Sequence, residues 1–202
     1  IDKGCLIDSK VIGVQNSIDQ FFYEDNGKKY MFWGSFRGIY ATELTDNGLE
    51  IKKKTDGTPV LKKRICGNRF EGTNIYKRGE YYYLFASIGT CCNGATSTYQ
   101  TVVGRSKNVL GPYLDKTGRD MLYDYCEIIM SGNETWAGPG HNSILIQDDV
   151  GTDWIIYHGY KKKEAENGRY VLMDKLIWSN DGWPSVKSNA PSILEVAPYF
   201  QK

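Results

Sequence analysis

Long apolar runs are missing from this sequence. No stretch approaches the ~20 consecutive residues that a membrane-crossing helix needs, so no helical span is expected and no membrane partner. An excess of one charge is missing too, because 25 basic residues stand against 24 acidic ones. A net charge of +1 gives no electrostatic case for binding nucleic acid or an anionic membrane. The short basic runs Lys52-Lys53-Lys54 and Lys161-Lys162-Lys163 read as solvated loops. No long amphipathic helix can be traced, which argues against an α or α/β domain. The five cysteines, at 5, 66, 91, 92 and 126, form no CxxC or Cys/His spacing, so a zinc site is not expected. Cys91 and Cys92 are neighbours. A bridge between adjacent cysteines closes a strained ring, which favours two thiols in a loop and leaves the bonded form as the alternative. No signal peptide is visible, and Ile1 is no natural start, so the chain is expected to be trimmed or incomplete.

What the sequence does have is aromatic residues, at 13% with fifteen Tyr and five Trp. That enrichment suits β packing and also sugar-binding surfaces, where flat rings cover the apolar face of a pyranose or furanose. The aromatics fall in a plan that occurs three times. Phe70-Glu71-Gly72-Thr73-Asn74-Ile75-Tyr76-Lys77 leads to a turn at Gly79 and into Tyr81-Tyr82-Tyr83-Leu84-Phe85-Ala86-Ser87, the pattern of a hairpin. Ser17 to Phe22 leads likewise to Asn26-Gly27 and Lys29 to Ser35, and Gly140 to Ile146 leads to Gly151 and Asp153 to Gly159. Asp19 and Glu71 each stand eight residues before their turn glycine, and His141 stands ten before its own, across a longer turn. One ionisable residue thus recurs at one position of the repeat.

Each hairpin is followed by further strand-like segments. In the first unit these are Gly38 to Leu44 and Gly48 to Lys53. In the second they are Tyr99 to Ser106, then Met121 to Tyr123 or Glu127 to Met130. In the third they are Arg169 to Trp178 and Asp181 to Pro184. Four antiparallel strands per unit, with turn glycines 52 and 72 residues apart, predict an all-β fold, a β-propeller of four-stranded antiparallel blades. The expected blades cover 17–60, 70–131 and 138–202. Residues 1–10, with a strand at 4–10, are read as the outer strand of a preceding blade. About three blades and one strand cannot close a ring, so missing N-terminal blades or another chain are expected against the open edge.

Several segments carry a family resemblance. Ser17-Ile18-Asp19-Gln20-Phe21, Trp33-Gly34-Ser35-Phe36, Glu71-Gly72-Thr73, Tyr81-Tyr82-Tyr83-Leu84-Phe85, Cys91-Cys92, Ser97-Thr98-Tyr99, Val103-Gly104-Arg105-Ser106, Gly111-Pro112-Tyr113 and Gly138-Pro139-Gly140-His141-Asn142-Ser143 together resemble glycoside hydrolase family 43, most of all its arabinanase and α-L-arabinofuranosidase branch. Gln20 departs from the family pattern, which usually has proline after the aspartate. The resemblance implies a five-bladed propeller and inverting hydrolysis of α-L-arabinofuranosyl linkages in arabinan or arabino-oligosaccharides. It gives Glu71 the role of general acid and Asp19 that of tuning the pKa and orientation of that acid. It makes His141 a ligand of a calcium or similar cation in the central channel. It puts Trp33, Ser35, Phe36, Cys91, Cys92, Ser97, Tyr99 and Arg105 around the sugar. The base aspartate has no counterpart and is expected on a blade before residue 1. The implied location is extracellular or periplasmic.

The residue types suit that chemistry. Inversion needs a protonated carboxyl beside the leaving oxygen and a carboxylate across the sugar to activate water. A second carboxylate near the acid favours its protonated form, the part Asp19 would play for Glu71. His158, on a second strand, is read as a core residue. Two other functions stay open: a catalytically inactive glycan-binding propeller, and a β-xylosidase of the same family.

Overall fold

The computed structural model describes residues 2–201. Ile1 and Lys202, the outer ends of the first and last expected segments, lie outside them. The described residues form an all-β chain of antiparallel sheets, the fold class expected from the repeat.

The first sheet runs β1 (Phe21–Asp25), β2 (Lys28–Trp33), β3 (Ile39–Glu43), β4 (Lys63–Cys66), each strand beside the next. Asp25 faces Lys28, which leaves Asn26-Gly27 as a two-residue loop with φ of 49° and 74°. Positive φ at both central residues marks the primed turn whose twist matches the flanking strands, and Asn-Gly is the pair that adopts it at least cost. The second sheet repeats the order with β5 (Glu71–Arg78), β6 (Tyr81–Ile88), β7 (Gln100–Ser106) and β8 (Glu127–Met130). Of the two candidates for its outer strand, Glu127–Met130 is the strand. Met121–Tyr123 is a 3-10 turn, begun by the Asp120 carboxylate accepting the Leu122 N–H.

The third sheet departs from the plan. It contains β9 (Trp136–Gly140), β10 (Ile146–Gln147), β11 (Asp153–Lys161) and β12 (Arg169–Lys175). β12 takes one edge of β11, while β9 and β10 share the other, pairing with its two ends. The expected strand from Gly140 to Ile146 is therefore broken after Gly140, and His141, with φ of 52°, starts the break. β13 (Ile177–Trp178) and β14 (Pro184–Ser185) form a separate two-stranded ribbon.

Two expected strands do not form. Residues 4–10 hold no strand; instead Ser9–Ile12 is a short helix, α1. The Asp8 carboxylate accepts the N–H groups of Lys10 and Val11 at 2.8 and 3.1 Å, and Gly13 closes the other end in the left-handed conformation. No described strand pairs with this segment, and the local caps satisfy backbone groups that an unpaired strand would leave open. Residues 48–53 form no full fourth strand: they pair only with the end of β3, through Lys52 N–H to Glu43 O and the Leu44–Ile51 bridge, before the chain turns back on itself through Lys54 N–H to Thr58 O and Val60 N–H to Lys52 O. The fourth position goes to Lys63–Cys66, and the first sheet ends beyond the expected limit of 60.

The chain divides into two compact units, one of residues up to 84 with 104–126, the other of 85–103 with 127 onward. In the first, Ile12, Val14 and Trp33 form a buried cluster flanked by Ile7, Met31, Tyr40 and Ile51. In the second, Tyr99, Trp154, Ile155, Tyr157 and Trp183 are buried. Among the described residues no helix is long and apolar enough to cross a membrane.

Candidate active site

The first unit brings Asp19, Ser35 and Glu71 together. Glu71 opens β5 and is 8% exposed, so its carboxyl must find partners within the protein. One is Ser35, whose hydroxyl donates to Oε2 at 2.7 Å. Asp19 stands two residues ahead of β1 with φ of 57°, and its Oδ2 accepts the N–H of Gly72 at 3.2 Å. That bond ties the Asp19 carboxylate to the peptide that follows Glu71. The two acids at equal distance from their turn glycines are thus neighbours in space.

Ser35 is presented by the loop between β2 and β3, whose backbone is unusual. Gly34, Phe36 and Gly38 have φ of 123°, 50° and 97°, and a Cβ at Gly34 would lie 2.2 Å from the Gly38 carbonyl oxygen. Only glycine fits that position. Three hydrogen bonds hold the loop: Gly34 N–H to Ile18 O at 2.8 Å, Phe36 N–H to Phe70 O at 2.9 Å, and Asn16 Nδ2 to Ser35 O at 2.8 Å. Asn16, Asp19 and Phe36 are left-handed without being glycine, a cost that persists only where surrounding contacts enforce it and that clusters at functional sites. Further along β5, Thr73 Oγ1 and Asn74 Oδ1 are buried with no hydrogen-bond partner among the described residues, so the strand offers unused polar atoms beyond the acid.

Two expected sugar contacts of this unit lie elsewhere. Trp33 is 1% exposed and its Nε1 donates to Ser17 Oγ at 3.1 Å, so the indole is part of the core cluster and offers no face to a ligand. Arg105 lies over the Tyr81 ring, 4.4 Å from its centroid. Tyr81 follows the Gly79 turn, whereas Glu71 begins the same hairpin at its other end, about 23 Å away for an eight-residue strand. A cation over an aromatic face accounts for Arg105 without a substrate. Phe36 remains partly exposed on the loop beside Ser35.

In the second unit, Cys91 and Cys92 are joined in a disulfide, against the two-thiol expectation, while Cys5, Cys66 and Cys126 are free. The loop around the pair is tied at its neck, which holds the two residues in place. Thr90 and Thr98 hydroxyls share a hydrogen bond of 2.9 Å, Ser97 Oγ accepts the Asn93 N–H at 2.9 Å, and the same hydroxyl donates to Cys91 O at 3.3 Å. Ser97 is therefore a brace of the loop, and Cys92 is its exposed member.

Tyr99 is fully buried, its ring stacked on His158 at 5.8 Å and its hydroxyl 3.4 Å from His141 Nδ1. His141 is exposed, and its backbone N–H donates to Ser87 Oγ at 2.8 Å. His158 packs beneath it with ring centroids 6.2 Å apart. Burial, then the positive charge of Arg169 at 3.2 Å, then His141, push the His158 imidazole down to about 4, so it is neutral at ordinary pH. The histidine expected in the core is a half-buried layer under His141. No three His, Cys, Asp or Glu side chains gather among the described residues. Calcium takes six to eight oxygen ligands, and here His141 supplies one nitrogen, so the residues present do not by themselves make a calcium site.

The profile of glycosyl hydrolases family 43 matches residues 2–184. The chain belongs to that family. An extracellular exo-α-(1→5)-L-arabinofuranosidase of Cellvibrio japonicus is 36% identical over 197 residues, covering 92% of this chain and 56% of the relative. An extracellular endo-α-(1→5)-L-arabinanase of Bacillus subtilis is 35% identical over 187 residues, covering 91% and 55%. Among solved structures, the Cellvibrio cellulosa α-L-arabinanase complexed with arabinohexaose superposes with a TM-score of 0.77 at 34% identity, covering 93% of this chain and 62% of that one. The chain thus spans somewhat over half the length of these family 43 relatives, with the sheets of their propeller fold.

Proposed function

We propose that the protein carrying this chain is an extracellular glycoside hydrolase that cleaves α-L-arabinofuranosyl linkages of arabinan or arabino-oligosaccharides with inversion, Glu71 acting as general acid and Asp19 orienting it. The observation that carries the reading is the coupling of two carboxylic acids through the Glu71-Gly72 peptide, with the acid buried at the start of its strand. It is supported by family membership and by relatives named as arabinanases and arabinofuranosidases, two of them named extracellular.

In this reading the Glu71 proton passes to the glycosidic oxygen as the C1–O bond breaks. Water attacks C1 from the opposite face and gives its proton to a base about 6.5–9.5 Å across the sugar. No residue of this chain is assigned that base. Phe36, on the loop beside Ser35, remains an expected sugar contact, while Trp33 and Arg105 are withdrawn and Ser97 and Tyr99 become supports. The single imidazole of His141 enters no step.

The test is Glu71→Gln in the full-length protein. Loss of a general acid costs about 10²–10⁴-fold in kcat on natural arabino-oligosaccharides, whose leaving groups need a proton, and far less on aryl arabinosides that depart unaided. Equal loss on both substrates would show that the proton comes from another residue.

A further inference from the structure

We infer that Ser35 is a positioning residue for Glu71, not a contact of the sugar: its hydroxyl donates to Oε2 and so holds the carboxyl in the orientation from which it delivers the proton. The inference rests on Glu71 being the acid and adds how that acid is aimed.

The geometry leaves the hydroxyl little else to do. Ser35 is 2% exposed, so its side chain presents almost nothing to a ligand, and its hydrogen is committed to Glu71 at 2.7 Å. A carboxyl accepting a hydrogen bond on one oxygen is held against rotation. The loop is built for this placement at a cost. Gly34 packs against the Gly38 carbonyl where no Cβ fits, Phe36 is left-handed, and the Asn16 amide fixes the Ser35 carbonyl. The Phe36 N–H is bonded to Phe70 O, the residue before Glu71, so the loop and the start of β5 are fastened at two points, one backbone and one side chain. Two fastenings one residue apart on each segment fix both the position and the rotation of the carboxyl. A hydroxyl that merely filled a buried polar site would need neither the strained loop nor the second tie.

A sugar contact and a positioning residue differ in kinetics. Loss of a ground-state contact raises KM on every substrate. Loss of aim lowers kcat, and only where the proton matters. Ser35→Ala in the full-length protein is expected to lower kcat on arabino-oligosaccharides by up to about 100-fold, the scale on which misplacement of a reacting group is felt, while KM and turnover of activated aryl arabinosides change less than about threefold. In the Glu71→Gln background the same substitution is expected to add nothing, since the group it aims is gone. Ser35→Thr, which keeps the hydroxyl, restores activity on the oligosaccharide. Should Ser35→Ala fold poorly, Ser35→Cys, close in size with a weaker donor, carries the test, with an intermediate loss on the oligosaccharide only. A rise in KM on both substrates, or a further loss in the Glu71→Gln background, would overturn the inference and make Ser35 a sugar contact. Absence of any leaving-group dependence in Glu71→Gln itself would instead overturn the assignment of the acid.

Discussion

Asp148 shows how a buried acid of this chain differs from the pair at Asp19 and Glu71. It sits in the turn between β10 and β11 and accepts from Trp154 Nε1 at 3.0 Å and from the N–H groups of Thr152, Val150 and Tyr199 at 2.8, 3.2 and 3.3 Å. Burial pushes its carboxyl upward, but these donors outweigh burial and hold it below the ordinary carboxylate value. A depressed folded value contributes stability that is present above the unfolded pKa, near 3.9, and is lost as pH falls through the folded one. Asp148→Asn is therefore expected to lower Tm near neutral pH, with a gap to the parent that narrows below about pH 4. Thermal melts across that range check it, and a gap independent of pH would contradict it. The carboxylate is charged and saturated, which suits fastening the Tyr199 segment and not giving up a proton. At this scale the sequence was partly legible. The repeat made Asp19 and Glu71 neighbours because equal offsets from two turn glycines put them at one end of adjacent hairpins. It could not show Ser35 bonded to Glu71, since a hydroxyl 36 residues away leaves no periodic trace. It misread Trp33 and Arg105 because residue type does not say which way a side chain points.

At the scale of elements, the turns and loops carry the argument. Gly27 and Gly34 both have positive φ, but a Cβ at Gly27 meets nothing within 4 Å, whereas one at Gly34 collides with the Gly38 carbonyl. Gly27→Ala should cost only the left-handed backbone, about 1–2 kcal/mol. Gly34→Ala should cost more and also displace the loop that presents Ser35, so activity should fall further than stability alone explains. Urea unfolding of both variants with an assay of each separates the two effects, and equal behaviour would show that the loop tolerates movement. The hairpins were readable from Asn26-Gly27 and Gly79 because primed turns demand those residues. The segment 48–53 alternates like a strand through Leu49 and Ile51, but tertiary pairing chose Lys63–Cys66, a choice that depends on partners and not on pattern. The helix at Ser9 was written locally, in Asp8 as its cap and Gly13 as its stop, and the apolar residues around them disguised it.

For the whole molecule, the three sheets and the family match describe one chain that covers somewhat over half of the arabinan-acting relatives named above. Inversion requires the acid assigned here to work with a base across the sugar, and the stereochemistry of the first product reports that arrangement without reference to any single residue. The most direct measurement is ¹H NMR of the anomeric region in the first minutes of arabino-oligosaccharide hydrolysis by the full-length protein, before the released sugar mutarotates. The account predicts that the β-configured reducing end appears first. Initial release of the α anomer, or no hydrolysis of α-L-arabinofuranosyl linkages at all, would contradict it.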